Sequence, residues 1–422
     1  MSVPLDRLYH YLDDCVNHDL LIYGWRAHGS TKLEDFCMLM DTITPEDWQN
    51  LRAKSTPQEF KLIASRNDHA VMICHDQEPL DFDRYCFEDF QRIVKRNHQR
   101  QKETLSINNI DRQSVVDYCA KLGLRGLAIP TNHHDRTLLL HSEKHSAHVA
   151  QYSQQGYVPV YYWSHGAIAL DWFRYAEHDP KLQFDPASIQ QDFLIHNRAW
   201  SGTREYRLCF TEQVVKNNLH DHCKMSFNAH DGTHYTQHCF VNPAFQIANT
   251  DLHNFFPVNT HSASASADYC VEDYASTGIE VVLETLFDDH RWHLTEKSLR
   301  PIACGRPFLL MATPGSLQYL RQYGFKTFDG LIDETYDGIQ NPRQRLQAVI
   351  VEMKRICALP VQQKIKLFAD LDSIAKFNKQ LFFSSFFASL INEYKQNMDC
   401  AMIEIKQYCH GHNCDIITQL MQ

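Results

Sequence analysis

Two stretches of this 422-residue chain gather residue types suited to holding a phosphorylated, hydroxyl-rich ligand. The first spans residues 278–328. Ile279 to Leu283 reads as a buried strand that ends in Glu284 and Thr285. Beyond a loop, Leu294-Thr295-Glu296-Lys297 reads as a helix start, with Thr295 as N-cap and Glu296 and Lys297 in the first turn. Amides at a helix start and a lysine suit a phosphate, and a glutamate there can accept hydrogen bonds from ribose hydroxyls. A capped helix with a solvated Glu–Lys pair fits the same residues. The second stretch is a strand ending in Asn197-Arg198, then a glycine-bearing loop, then a helix opening at Arg204. The guanidinium forks of Arg198, Arg204 and Arg207 suit the oxygens of a diphosphate, although ordinary ion pairing would also use them. No P-loop and no GxGxxG is present, which disfavours kinases and dinucleotide enzymes.

Positioning such groups takes strands that end together. Leu20 to Gly24, Ala70 to Cys74, Thr137 to Leu140 and Val158 to Tyr162 each read as a buried strand followed at once by polar residues. In a parallel α/β sheet those four polar ends share one edge, where ligands bind. Further strands are expected at 192–196, 223–228, 278–283, 307–312 and 325–328, with helices at 203–215 and 316–323. From Asn341 to about Tyr408 the chain reads as helical, broken at Pro360. Residues 255–277 show no clear element, and Ser262 to Ser266 reads as a loop. Arg174 to Ser188, with two Asp-Pro steps, reads as a linker. The expected class is α/β, with an N-terminal domain over 1–180, a second over 181–358, and C-terminal helices over 359–422 packing across both.

Composition narrows the function. Hydrophobic residues are 44% and charged residues 22%, enough for two cores. The net charge of −10 rules out a wholesale basic coat, though not a local basic face. No window of 18 apolar residues points to a membrane span, and Met1 to Leu20 lacks a signal-peptide pattern. The 14 cysteines are scattered, as reduced thiols in a cytoplasm would be. Cys409 to Cys414 matches no usual zinc spacing and lies near a chain end, and His133-His134-Asp135 could bind a metal, although none is expected at either.

Leu294 to Lys297, followed by Pro301-Ile302-Ala303-Cys304-Gly305-Arg306-Pro307-Phe308, resembles the donor-binding motif of α1,3-fucosyltransferase-like glycosyltransferases of the GT-B class. The Asn197-Arg198 strand end is similar to their phosphate-binding segment. Residues 314–320, 324–329 and 333–337, and more patchily His75 to Pro79 and Tyr161 to His165, resemble phage-encoded glycosyltransferases. The resemblance implies two facing Rossmann-like domains and a nucleotide-diphosphate sugar, UDP-linked by preference, as co-substrate, with no other cofactor. It places Glu296 on ribose, Lys297 on the phosphates, and Thr295, Glu284, Asn197 and the three arginines about them.

An inverting transferase then needs a base near the acceptor. Asp76 and Glu78 come first, then His75 and His165. Asp76 as a plain loop cap is the competing reading. The sequence leaves inverting and retaining chemistry alike open. Phage enzymes of this kind imply double-stranded DNA carrying a hydroxylated or hydroxymethylated cytosine as acceptor, and glucose or arabinose as the sugar. The basic run Gln91 to Lys102, with Arg92 and Arg96, would face the phosphates. His165 and Trp163 would lie by the base, which must leave its stack. A glycan or lipopolysaccharide acceptor is the second reading. A non-catalytic binding module on the same fold is the third.

Overall fold

The structure, a computed structural model, describes residues 21–26, 70–75, 137–154, 157–198, 204–228, 245 and 268–409. The chain falls into two compact units.

The first unit holds four parallel strands in the order β1-β2-β3-β4: β1 (Leu21–Arg26), β2 (Ala70–His75), β3 (Thr137–His141) and β4 (Val158–Tyr161). Helix α1 (Ala147–Gln154) links β3 to β4. Arg26 lies opposite His75, and His141 opposite Tyr161, so the four carboxyl ends do share one edge. Leu139, Leu140 and Val160 are fully buried on this sheet. His141 is buried too, and burial lowers its imidazole pKa to about 4. Residues from Leu390 onward complete the unit. There Asn397 Nδ2 donates to the Tyr161 carbonyl at 2.9 Å, and Lys144 meets Glu393 at 3.1 Å.

The second unit runs from His165 to Ser389. It begins within α2 (Ser164–Trp172) and continues through β5 (Gln191–Arg198), α3 (Glu205–Lys216), β6 (Cys223–Asn228), α4 (Val271–Ser276), β7 (Thr277–Leu283), α5 (Glu296–Cys304), β8 (Phe308–Met311) and α6 (Ser316–Gln322). Then come α7 (Pro342–Cys357), α8 (Val361–Ser384) and the start of α9 (Phe386–Cys409). Its sheet is also parallel, in the order β6-β5-β7-β8. The chain therefore steps from β5 to β6 on one side, then returns to place β7 on the other. That reversal makes a topological switch between β5 and β7, the place beyond the carboxyl ends where open α/β sheets bind ligands. β7 is buried along its whole length, and a Cβ on Gly278 would come within 2.6 Å of the Phe368 ring from α8.

Three expectations are corrected. The 174–188 stretch is not the boundary, which falls between Ser164 and His165. It forms two short 3₁₀ turns, and its Ala176 and Leu182 pack in one buried cluster with Leu194, Tyr274 and Cys304. Residues 325–328 form no strand. Gly324 turns the chain at φ 88°, and the Asn378 side chain from α8 takes the place of a neighbouring strand. It accepts from the Lys326 N–H and donates to the Lys326 carbonyl, both at 2.8 Å. The 255–277 stretch ends in α4, while Ser262 to Ser266 and residues 201–203 lie outside the described residues. No helix among the described residues is long and apolar enough to cross a membrane.

Replacing Asn378 by Ala leaves both Lys326 backbone groups without that partner. It should cost about 1–3 kcal/mol in urea-induced unfolding, with the unfolding slope unchanged.

Candidate functional site

The switch between β5 and β7 is held together by one side chain. Arg207, in the first turn of α3, is only 2% exposed. Its Nη1 donates to the Arg198 carbonyl at the end of β5 at 2.7 Å. Its Nη2 donates to the carbonyls of Leu283 and Glu284 at the end of β7, at 2.7 and 2.8 Å. Its Nε reaches the hydroxyl of Tyr206 at 3.3 Å. Tyr206 itself donates to the Glu284 carbonyl and stacks on Phe287 at 4.5 Å. Carbonyls at diverging strand ends have no ladder partner, and a guanidinium fork satisfies several at once.

Beyond β7, the fully buried carboxylate of Glu284 engages the start of α5. It accepts from the Thr285 N–H at 3.0 Å, from the Thr295 N–H at 2.9 Å and hydroxyl at 2.8 Å, and from the Ser298 N–H at 3.2 Å and hydroxyl at 2.5 Å. Thr295 caps the helix by accepting from the Lys297 N–H at 3.3 Å. The amides of Lys297 and Ser298 are thus already paired, and the protein's own anion sits where a phosphate was expected. Cationic help for a ligand must come from side chains.

Lys297 is the cation at this turn, with 24% of its side chain exposed. Its Nζ lies 2.7 Å from Glu296 Oε1 and 3.2 Å from Thr295 Oγ1. The other oxygen of Glu296, Oε2, lies 3.0 Å from His165 Nδ1, and the His165 ring meets His293 edge to face at 5.4 Å. Burial opposes ionisation of Glu296, but the Lys297 ammonium and His165 hold its carboxyl well below the usual carboxylate range.

The sequence-derived candidates divide as follows. Glu284, Thr295, Glu296, Lys297 and His165 come together at the start of α5. Arg198, Arg204 and Arg207 share the neighbouring edge, yet Arg207 and Asn197 hold backbone there. Asn197 is 1% exposed, and its amide donates to the Arg207 carbonyl at 3.2 Å and to Thr211 Oγ1 at 2.6 Å. Arg204 is buried and sits at the N-cap position of α3. His165 was expected beside the acceptor base, but it pairs with Glu296 in the second unit. Trp163 is buried in the first unit. His75 ends β2, and its side chain, with Asp76, Glu78, Arg92 and Arg96, lies outside the described residues.

Sequence reasoning missed Ser298 and Tyr206, and also the buried Arg345. The last donates to the carbonyls of Ala312 at 3.1 Å, Ile339 at 2.6 Å and Phe287. Ser298 stands three places after the Thr295 cap, where a capping box would have Glu or Gln, so it carried no local signal.

No protein-family model matches the chain, and no curated protein matches it. Among solved structures it is similar to an α,α-trehalose 6-phosphate synthase from Burkholderia multivorans. The identity is 13% and the TM-score 0.30, over 96% of this chain and 75% of that one. A likeness at that score carries no functional argument.

Two outcomes follow from this geometry. Glu284→Ala removes the acceptor for five buried hydrogen bonds and should cost about 3–5 kcal/mol, read as a lower urea midpoint. For Glu296 the folded pKa lies below its ordinary 4.5, so its contribution is complete above that pH and is lost as pH falls through the folded value. Wild type and Glu296→Gln should therefore differ most in unfolding midpoint above pH ~5. Their curves should converge in acid. A constant gap across that range would show that the Glu296 charge contributes nothing.

Proposed function

We propose that this chain is a glycosyltransferase that takes its sugar from a nucleotide diphosphate. The observation that carries the reading is the position of Lys297. It stands at the start of α5, the helix that follows β7, on the carboxyl edge where the strand order reverses, and it belongs to the segment that resembles a fucosyltransferase-like donor motif. Each unit has its own parallel sheet, which supports a two-domain GT-B plan. Because Glu284 occupies the helix amides, Lys297 with Arg198 and Arg204 supplies the positive charge for the departing diphosphate. Glu296, held ionised between Lys297 and His165, is the acceptor for ribose hydroxyls. Arg207 and Asn197 position the edge and do not touch the ligand.

The acceptor proton goes to a group of the first unit, with Asp76 and Glu78 preferred and His75 next. We propose a hydroxyl on a modified cytosine of double-stranded DNA as the acceptor. Supporting this are the phage-enzyme likeness at 75–79 and 161–165 and the basic run at 91–102.

Thermal shift across UDP-, GDP-, ADP- and CMP-sugars tests the donor half, because a ligand of the folded state raises the melting point. One nucleotide class should stabilise wild type. Lys297→Ala should abolish that shift and lower sugar transfer by about 100-fold or more, while remaining folded with a lower unliganded melting point, because buried Glu296 loses its ammonium partner. Full activity in Lys297→Ala would overturn the site. Labelled transfer to hydroxymethylcytosine DNA, against transfer to lipopolysaccharide glycan, decides the acceptor.

A further inference from the structure

The opposite, amino-terminal edge of the second sheet carries a different constellation, unrelated to the donor reading. Asp192, the second residue of β5, is 5% exposed. His222, just before β6, places Nδ1 2.8 Å from Asp192 Oδ2. Cys357, the last residue of α7, brings its thiol into the same space. One donor atom each from Asp192, His222 and Cys357 lie within 4.8 Å of one another, the one such trio among the described residues. Lys364, in the first turn of α8, holds its ammonium 2.8 Å from Asp192 Oδ2 and 3.3 Å from the Cys357 carbonyl.

Imidazole nitrogen, thiolate sulfur and carboxylate oxygen are the donor types of zinc, and small side-chain rotations would bring all three to its bond lengths of about 2.0–2.3 Å. The His222 imidazole and the Lys364 ammonium already converge on one buried oxygen, Asp192 Oδ2, with the protonated amine in the place a cation would take. His222 is 42% exposed at its side chain, which gives an ion a route in. We propose that Asp192, His222 and Cys357 form a three-residue site for a zinc ion. The ion would pin the α7–α8 turn at Pro360 to the starts of β5 and β6. On binding, the thiol proton leaves to solvent and the sulfur becomes a thiolate ligand. His222 coordinates through Nδ1 and keeps its proton on Nε2. Lys364, on a flexible stem, swings outward still charged, and water fills the fourth position.

The test uses the full chain, loaded with zinc chloride and dialysed against a weak chelator. Wild type should retain one zinc more per chain than either Cys357→Ser or His222→Gln. Cobalt in place of zinc should give a thiolate-to-metal absorption band that Cys357→Ser lacks. Lys364→Met removes the competing cation and should tighten zinc on the order of tenfold. A plain salt-bridge cluster predicts no tightening from that change. Equal zinc in wild type and His222→Gln, or a cobalt form without the thiolate band, would overturn the site. If Cys357→Ser does not fold, His222→Gln, Lys364→Met and the wild-type cobalt spectrum decide it.

Discussion

Arg207 is the constraint on which the second unit depends. Two parallel strands that diverge at a switch leave their last carbonyls without ladder partners, and water would have to serve them. Arg207 instead satisfies the ends of β5 and β7 from a single buried guanidinium, braced by Tyr206. A lysine could not replace it, because one ammonium cannot span three carbonyls on two strands with the same fixed fork. Everything on this edge inherits its position from that fork.

Glu284 is its acidic counterpart. Its backbone carbonyl accepts from Arg207 while its carboxylate accepts from the start of α5. One residue thus transmits the position of the strand end to the helix that carries Glu296 and Lys297. The cost of that rigidity is an anion at the helix start, which makes the edge less generous to phosphate than a bare helix start would be. Selectivity for a ligand bearing hydroxyls as well as negative charge fits such a mixed edge.

Much of this was legible in the sequence where the signal was local. Apolar runs ending in polar residues located all eight strands to within two residues, and Thr295 marked the start of α5 because a cap acts on its own next turn. What was not legible depends on partners far along the chain. Phe325 to Phe328 has strand composition, yet Asn378, 52 residues from Lys326, satisfies its backbone instead. Arg207 resembles a ligand-binding arginine until its carbonyl partners, 76 and 77 residues away, are seen. The meeting of Asp192, His222 and Cys357 has no sequence spacing at all. The Asn197 amide depends on neighbours in the same way, since a polar residue at a strand end can serve the ligand or the fold, and its Nδ2 holds Arg207 and Thr211.

The return of the chain at Leu390 has a consequence for synthesis. The first unit takes residues such as Glu393 and Asn397 from beyond the whole second unit. On the ribosome, its strands emerge first, but the residues that complete it emerge last. The second unit, continuous from His165 to Ser389, can close while the chain is still growing. The unit begun first is therefore the one finished last, and during that interval its sheet waits without Asn397 on the Tyr161 carbonyl.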